Sequence, residues 1–386
     1  VSRALLPAPI PEGLSALHPD VPATVFSQDF RDACLTLDRY VGAVALELAH
    51  TLHLASAEVP SATALLDERG WCQAGEPALR WLLDTLVLYG HAERTGEGWR
   101  VAAPAPATPS ATLEAEAVRA LPAAAPAYAV MRIAAAALPD VLAGSCRGED
   151  ALFNAGTLPL WFAYFNNDNP HYYPNNAMAA LAVARAVPAG ARILEVGGGA
   201  GSAAVAIATA LHESGKPPAS YLFTELQPAF LRRGARAAQA ALGTGCTVVA
   251  KTFDINEEPA TLGVEPASLD AIVGVNTLHL AVDLVATLTR LATLLRPGGV
   301  LVLGEVLRPA HTGTVHLELP FALLDSYARV KLEMELRPRP GFLTVAQWRR
   351  ALAAAGYRQV SVLPAAIQRC AELYPGFYAG ALVAHR

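Results

Sequence analysis

The stretch Glu195-Val196-Gly197-Gly198-Gly199-Ala200-Gly201 decides how this chain folds. It follows the strand-like run Ile193-Leu194-Glu195-Val196 and opens a helical run over Gly201–Leu211. Glycines at a strand-to-helix turn allow backbone conformations that side chains forbid, and they let a ligand approach the main chain closely. A dinucleotide site is the obvious alternative. Its GxGxxG pattern, begun at Gly197, needs glycine at 202, where Ser202 stands.

Working outward, strand-like runs over Ser220–Leu226, Thr247–Phe253, Leu269–Asn276 and Val300–Val306 alternate with helical runs over Pro228–Leu242 and Val282–Leu295. Val345–Ala355 is helical too, and Gln359–Leu363 and Phe377–Ala384 are strand-like. Such alternation predicts an α/β, Rossmann-like, doubly wound parallel sheet with helices on both faces. Between the last two strands no helix of comparable length is expected, so the final strand is expected to run antiparallel.

Open sheets of this kind bind ligands at the carboxyl ends of successive strands. Glu195, just ahead of the glycines, would repel a pyrophosphate and suits a ligand with an ammonium and a sulfonium. S-adenosylmethionine is such a ligand. Gly197, Gly199 and Gly201 then form its loop, and Glu225 at the end of the second strand accepts from the ribose hydroxyls, with Leu226 beside it. Asp254 accepts from the adenine amino group while Phe253 or Ile255 packs on the ring. Asn276, at the end of the fourth strand, falls beside the methionyl end.

Bulk properties narrow the field. The 386 residues are 53% hydrophobic and 16% charged, as in a folded globular chain, with room for more than one core. A net charge of −5 gives no electrostatic footprint for nucleic acid. No uninterrupted, strongly apolar run of about 18 residues suggests a membrane span. Cys34, Cys72, Cys146, Cys246 and Cys370 are far apart with no CxxC pair, as expected of reduced, buried thiols in a cytoplasmic protein. The chain begins at Val1 with no basic-then-apolar segment, as expected of a piece cut from a larger polypeptide.

Residues 1–28 are proline-rich and read as a linker or strap. Helical spacing over Gln28–Leu54, around Ala62–Asp67 and over Glu76–Leu86 precedes a hairpin whose turn is Thr95-Gly96-Glu97-Gly98. That is the layout of a winged helix. Its third helix offers only Arg80 as a base, so it is expected to pack on protein. Residues 102–110 form a linker by composition. The domain reading is therefore 1–110, a winged-helix-like amino-terminal region; 111–188, a helical lid; and 189–386, the ligand-binding core. Within the lid, residues 160–176 concentrate aromatic and asparagine side chains, of which Tyr164, Asn169, Tyr172, Tyr173 and Asn176 are candidate lid and substrate residues.

Two more residues point to chemistry. His279 follows the fourth strand and Glu305 ends the fifth, so their side chains are expected to meet across adjacent strand ends. An imidazole is a suitable general base near neutral pH, and a carboxylate on its second nitrogen fixes the tautomer.

The glycine loop, the second-strand acid and the Arg296-Pro297-Gly298-Gly299 turn occur in the order found in class I S-adenosylmethionine-dependent methyltransferases, which residues 190–386 resemble. Asn276-Thr277-Leu278-His279 with Glu305 is similar to the carbon-methylating domains of polyketide synthases. Arg147–Phe153, the Tyr164 region, and Asn175 or Asn176 resemble that family's lid. Thr344–Trp348 and Ala355-Gly356-Tyr357 match a common methyltransferase helix and turn. The resemblance implies His279 as base, Glu305 as its partner, and α-carbon methylation of a malonyl or β-ketoacyl thioester. An acyl carrier protein would present that substrate on a phosphopantetheine arm, among the neighbouring domains of a megasynthase. Arg308, Arg337, Arg339, Arg349 and Arg350 are expected at the surface, solvated or facing the acidic carrier. Small-molecule O-methyltransferases are the alternative, for they share the helical amino end and the histidine–glutamate pair. They typically carry a tryptophan shortly after the histidine, where this chain has Leu280-Ala281-Val282-Asp283. Some initiation-type relatives hold a single metal ion; here His279 would be a ligand, with His316 and Gln227 as further candidates.

Overall fold

The computed structural model describes residues 28–309, 314–365, 367 and 378–386. The linker reading of residues 1–27, Cys370, and Phe377 at the expected start of the last strand lie outside the described residues.

At the amino end, helices Gln28–Thr51, Ala62–Arg69 and Glu76–Leu88 accompany a small antiparallel sheet of β1 (Glu58–Val59), β2 (Ala92–Thr95) and β3 (Gly98–Val101), in the order β1-β3-β2. The hairpin β2–β3 has the expected turn, and β1 is an addition. Glycine is required at 98, since a Cβ there would lie 2.2 Å from the Val59 carbonyl oxygen. Pro77 sits in the first turn of the third helix, where its missing N–H costs nothing. Arg80 in that helix is paired with Glu76. Its apolar face is buried, and Trp81 Nε1 donates to the Val315 carbonyl at 2.9 Å. The helix thus packs on protein.

Four further helices, Ser110–Ala120, Ala125–Leu142, Leu158–Tyr164 and Tyr173–Ala186, lead toward the large sheet, with a short turn of helix at Gly148–Leu152. Residues Pro122–Leu142 are long and apolar enough to cross a membrane by length and composition. Here Tyr128, Met131, Ala134 and Leu138 of that segment are buried in an apolar cluster running from Leu37 through Trp161 to Phe342. A core helix explains the composition.

The large sheet contains β4 (Arg192–Val196), β5 (Ser220–Thr224), β6 (Thr247–Lys251), β7 (Leu269–Val275), β8 (Leu295–Val306), β9 (Arg358–Leu363) and β10 (Ala379–His385). Their order is β6-β5-β4-β7-β8-β10-β9. The first five are mutually parallel, and β10 runs antiparallel to both β8 and β9, as the sequence suggested. Order reverses beside β4, the switch point at which such sheets bind ligands. Arg296–Gly299 lies inside β8 as a register irregularity against β7, where a free turn had been expected. Helix Leu284–Ala292 is shorter than the apolar pattern suggests because Asp283 caps it, its Oδ1 accepting from Ala286 N at 3.0 Å.

Candidate active site

Residues at or just past the carboxyl ends of β4, β5, β6, β7 and β8 line a cavity of about 540 Å³, a volume typical of small-molecule sites. The opposite wall comes from the lid and from residues 317–342, including Tyr164, Tyr172, Phe321 and Phe342.

Gly197 and Gly199 both line it and adopt left-handed backbone, with φ of 65° and 54°. A Cβ on Gly197 would fall 2.3 Å from Thr277 Cγ2, so Thr277 fills the room that glycine leaves. At Gly199 a Cβ would meet nothing within 4 Å, and its N–H donates to Glu225 Oε2 at 3.0 Å. Gly201 does not reach the cavity. It permits close helix packing instead, since a Cβ there would come 2.7 Å from the Gly234 carbonyl oxygen.

The other expected cofactor residues fall in sequence along the wall. Glu225 Oε1 accepts from Gln227 N at 2.8 Å, so both carboxylate oxygens are aimed by the main chain. Leu226, Phe253, Asp254 and Ile255 line the cavity next to it. Asp254 Oδ1 accepts from Asn256 N and Nδ2, each at 2.8 Å. Asn276 has φ of 49°, unusual for a residue with a side chain. Its N–H donates to Gly304 O at 2.7 Å and its Oδ1 accepts from Val306 N at 2.9 Å, which ties the ends of β7 and β8 together.

Glu195 corrects the reading made from sequence. It is absent from the cavity lining and only 1% exposed, and Tyr221 Oη donates to its Oε2 at 2.9 Å. Alternate side chains of a strand face opposite ways, and Glu195 shares its face with Tyr221 on β5. Burial pushes its carboxyl up to about 8, with the Tyr221 hydrogen bond opposing and nearby Glu225 adding. It lies under the loop, not against the ligand space.

His279 and Glu305 do meet. Imidazole Nδ1 is 2.8 Å from Glu305 Oε2, and both residues are buried. His279 lines the cavity, and its ring centroid lies 4.5 Å from that of Phe342. Arg337, which sequence reasoning placed at the surface, is buried and donates to the carbonyl oxygens of His279 and, at 2.6 Å, Ala281. Arg308 is likewise buried, in an ion pair with Glu318, and Arg339 is half-buried near Asp84 at 3.5 Å. The segment after β8 wraps over these arginines, so a surface role is left to Arg349 and Arg350, both exposed.

The lid divides. Tyr164 and Tyr172 line the cavity, and burial raises both phenols. Asn169, Tyr173 and Asn176 do not. Asn169 braces the turn: its Nδ2 donates to Tyr164 O at 2.9 Å and its Oδ1 accepts from His171 N at 3.1 Å. Asn176 Nδ2 donates to Asn167 Oδ1 at 2.8 Å, and Asn167 Nδ2 to Ser202 O at 2.9 Å, which fastens the lid to the helix after the glycine loop. His171 and Asn175 face the cavity instead. Sequence reasoning missed His171, which stands in the turn just before the helix Tyr173–Ala186 and so carries no periodic signal.

Among the described residues no group of three or more His, Cys, Asp or Glu side chains is arranged to hold a metal ion. Gln227 lines the cavity, while the side chain of His316 lies outside the described residues.

A glycine loop and second-strand acid at the switch point of this sheet are the arrangement of the class I methyltransferase fold. Residues 194–301 match a family model described as a methyltransferase domain. That segment is a methyltransferase domain, and the chain resembles polyketide synthases in sequence and their carbon-methyltransferase domains in fold. It is 29% identical over 242 residues to polyketide synthase ThaG of Burkholderia thailandensis, a match covering 61% of this chain and 4% of that one. It spans 4% to 12% of the polyketide synthases it matches. The fold matches that of the DszA carbon methyltransferase with a TM-score of 0.73 at 21% identity, covering 100% of this chain and 97% of the other. The trans-methyltransferase CalH, solved in complex with SAH, superposes with a TM-score of 0.59 at 22% identity, covering 94% of this chain and 91% of that one. The methyltransferase fold implies S-adenosylmethionine as cofactor.

Proposed function

We propose that this chain methylates the α-carbon of a malonyl or β-ketoacyl thioester held on an acyl carrier protein, as one step of polyketide assembly in the cytoplasm. The observation that carries the reading is the buried His279–Glu305 contact, on the wall of the cavity that the glycine loop also enters.

S-adenosylmethionine, when bound, supplies a methyl group activated by its sulfonium. On this reading Glu225 would accept from the ribose hydroxyls, Phe253 or Ile255 would pack on the adenine, Asp254 would accept from its amino group, and Asn276 would lie by the methionyl end. Leu226 covers the rim, and Gly197 and Gly199 leave the main chain open to the ligand. Glu305 accepts from His279 Nδ1–H, which leaves Nε2 as the base for the proton on a carbon between two carbonyls. The electron pair left on that carbon would take the methyl group as its bond to the sulfonium sulfur breaks, with S-adenosylhomocysteine as the leaving group. Phe321, Leu324 and Phe342 give the acceptor side an apolar wall suited to an acyl chain. Tyr164 and Tyr172 close over the site, with Asn169, Tyr173 and Asn176 supporting the lid, and so exclude water from a carbanion. Residues 1–110 and 111–188 act as a packing unit and a lid on the core 189–386, with neighbouring synthase domains beyond.

The test is mass spectrometry of malonyl, methylmalonyl and β-ketoacyl carrier proteins incubated with S-adenosylmethionine. A gain of one methyl group on the acyl carbon is expected. Methylation confined to the hydroxyls of free phenols or alcohols would overturn the proposal in favour of O-methyl transfer.

A further inference from the structure

His171 lines the cavity without a role in the reaction described above. His171 is 9% exposed and lines the same cavity as His279, and its Nε2 has no hydrogen-bond partner. A buried polar atom left unpaired costs roughly 1–3 kcal/mol, and such atoms in folded proteins are matched by a ligand or water far more often than by nothing. Its main chain is fixed by Asn169, whose Oδ1 accepts from His171 N at 3.1 Å. The ring stands edge-on to Tyr128 at 6.2 Å between centroids.

Position says which ligand the atom serves. Tyr128 belongs to the apolar cluster that holds Tyr164, Leu317 and Phe342 from the cavity wall opposite the strand ends, and also Phe230. Phe253, on the cofactor wall, belongs to a separate cluster with Leu194 and Val196 of β4. Asn175, in the first turn of the helix that follows His171, also lines the cavity with a buried, unpartnered Oδ1. The oxygens of a thioester or β-ketone are the groups on the acceptor that a neutral N–H can serve.

We propose that His171 donates a hydrogen bond from Nε2 to a carbonyl oxygen of the acceptor and stabilises the enolate formed there. The inference rests on the carbon-methylation reading. The proton leaves the α-carbon for His279 Nε2, and the C–H electron pair moves to the carbonyl oxygen as the enolate forms. His171 keeps its own proton throughout and meets the growing negative charge. Burial holds its imidazole down at about 4, so it stays neutral and cannot compete with His279 as the base. A donor fixed in an apolar wall is worth more than one in water.

Deuterium exchange separates this role from cofactor binding. A β-ketoacyl carrier protein is incubated in deuterium oxide with the enzyme and S-adenosylhomocysteine, so that enolate formation is read without methyl transfer. Wild-type enzyme should exchange the α-protons faster than His279→Ala does. If it does not, the carbon-methylation reading fails, and this inference with it. His171→Phe should slow exchange by about 100-fold, with S-adenosylhomocysteine affinity by calorimetry unchanged. His171→Gln, which keeps a donor and guards against misfolding, should recover most of the rate. Exchange by His171→Phe at the wild-type rate would overturn the inference, as would a loss of S-adenosylhomocysteine affinity matching the loss of exchange.

Discussion

His279 and Glu305 meet across two neighbouring parallel strands: Nδ1 of the imidazole lies 2.8 Å from Oε2 of the carboxylate, with both side chains buried. The register that brings them together pairs Val275 of β7 with Gly304 of β8, so Glu305 stands one residue further along β8 beside the point where the chain leaves β7 toward His279. Neither functions in the proposed reaction without the other. Glu305→Gln keeps the shape but offers an amide where a carboxylate stood, and the wrong tautomer becomes available. Turnover on a β-ketoacyl carrier protein should fall by about 10²–10⁴-fold, while S-adenosylhomocysteine still binds. Single-turnover mass spectrometry and calorimetry measure the two quantities, and wild-type turnover in this variant would remove Glu305 from the mechanism.

The glycine loop makes a separable prediction. Gly197→Ala introduces a Cβ 2.3 Å from Thr277 Cγ2 at a φ of 65°, so it carries both a steric conflict and a backbone penalty. Thr277→Ala removes the first and leaves the second. Cofactor affinity should therefore drop strongly in Gly197→Ala and recover in part, not wholly, in the double variant. Full recovery would show that left-handed backbone at 197 is unimportant, and no recovery that Thr277 is not the obstacle.

Strand ends were legible in the sequence because each carries a local signal. The glycine loop, Glu225, Asp254 and Asn276 each follow an apolar run at the point where a parallel sheet opens. His279 and Glu305 could be paired before any coordinates, since strand order alone makes them neighbours. Which way a side chain turns is not local information. Glu195 was assigned to the ligand from its place before the glycines, yet strand alternation and Tyr221 hold it in the interior. Asn176 and Asn175 are adjacent, but the rotation of one helix decides that Asn175 alone faces the cavity. Arg308 and Arg337 resembled surface charges because their buried partners, Glu318 and the His279 carbonyl, are distant along the chain or belong to the backbone.

Arg337 leads to a prediction about positioning. Its guanidinium donates to the carbonyls of His279 and Ala281 and so clamps the turn that carries the imidazole. Burial draws it down to about 10, which leaves it charged at neutral pH. Arg337→Met preserves much of the packing and loses the clamp. Turnover should fall by about 10-fold or more with little change in cofactor affinity. The informative readout is the split between kcat and KM, since kcat should fall with KM for the carrier-bound acceptor little changed if His279 has lost its fixed orientation. A lower Tm with unchanged kinetics would make Arg337 purely structural.

Glu195 sets the pH dependence of stability, and its sign is unusual for a carboxylate. In the folded chain burial lifts it from 4.5 to about 8. Between those values the folded state keeps a proton that the unfolded chain has released, so stability falls as pH rises through the window and levels off above it. A shift of that size corresponds to at most about 5 kcal/mol. His171 acts in the opposite direction, because burial lowers it from 6.5 to about 4. Its contribution is complete above 6.5 and is lost only on acidification from 6.5 toward 4. Between pH 6.5 and 8 the two do not overlap, and the slope there belongs to Glu195. Denaturant unfolding of the ligand-free protein should accordingly show stability declining over that range, and Glu195→Gln should flatten it. A Gln variant whose profile runs parallel to the wild type would mean that Glu195 is already ionised in the folded chain, held so by Tyr221 despite its burial.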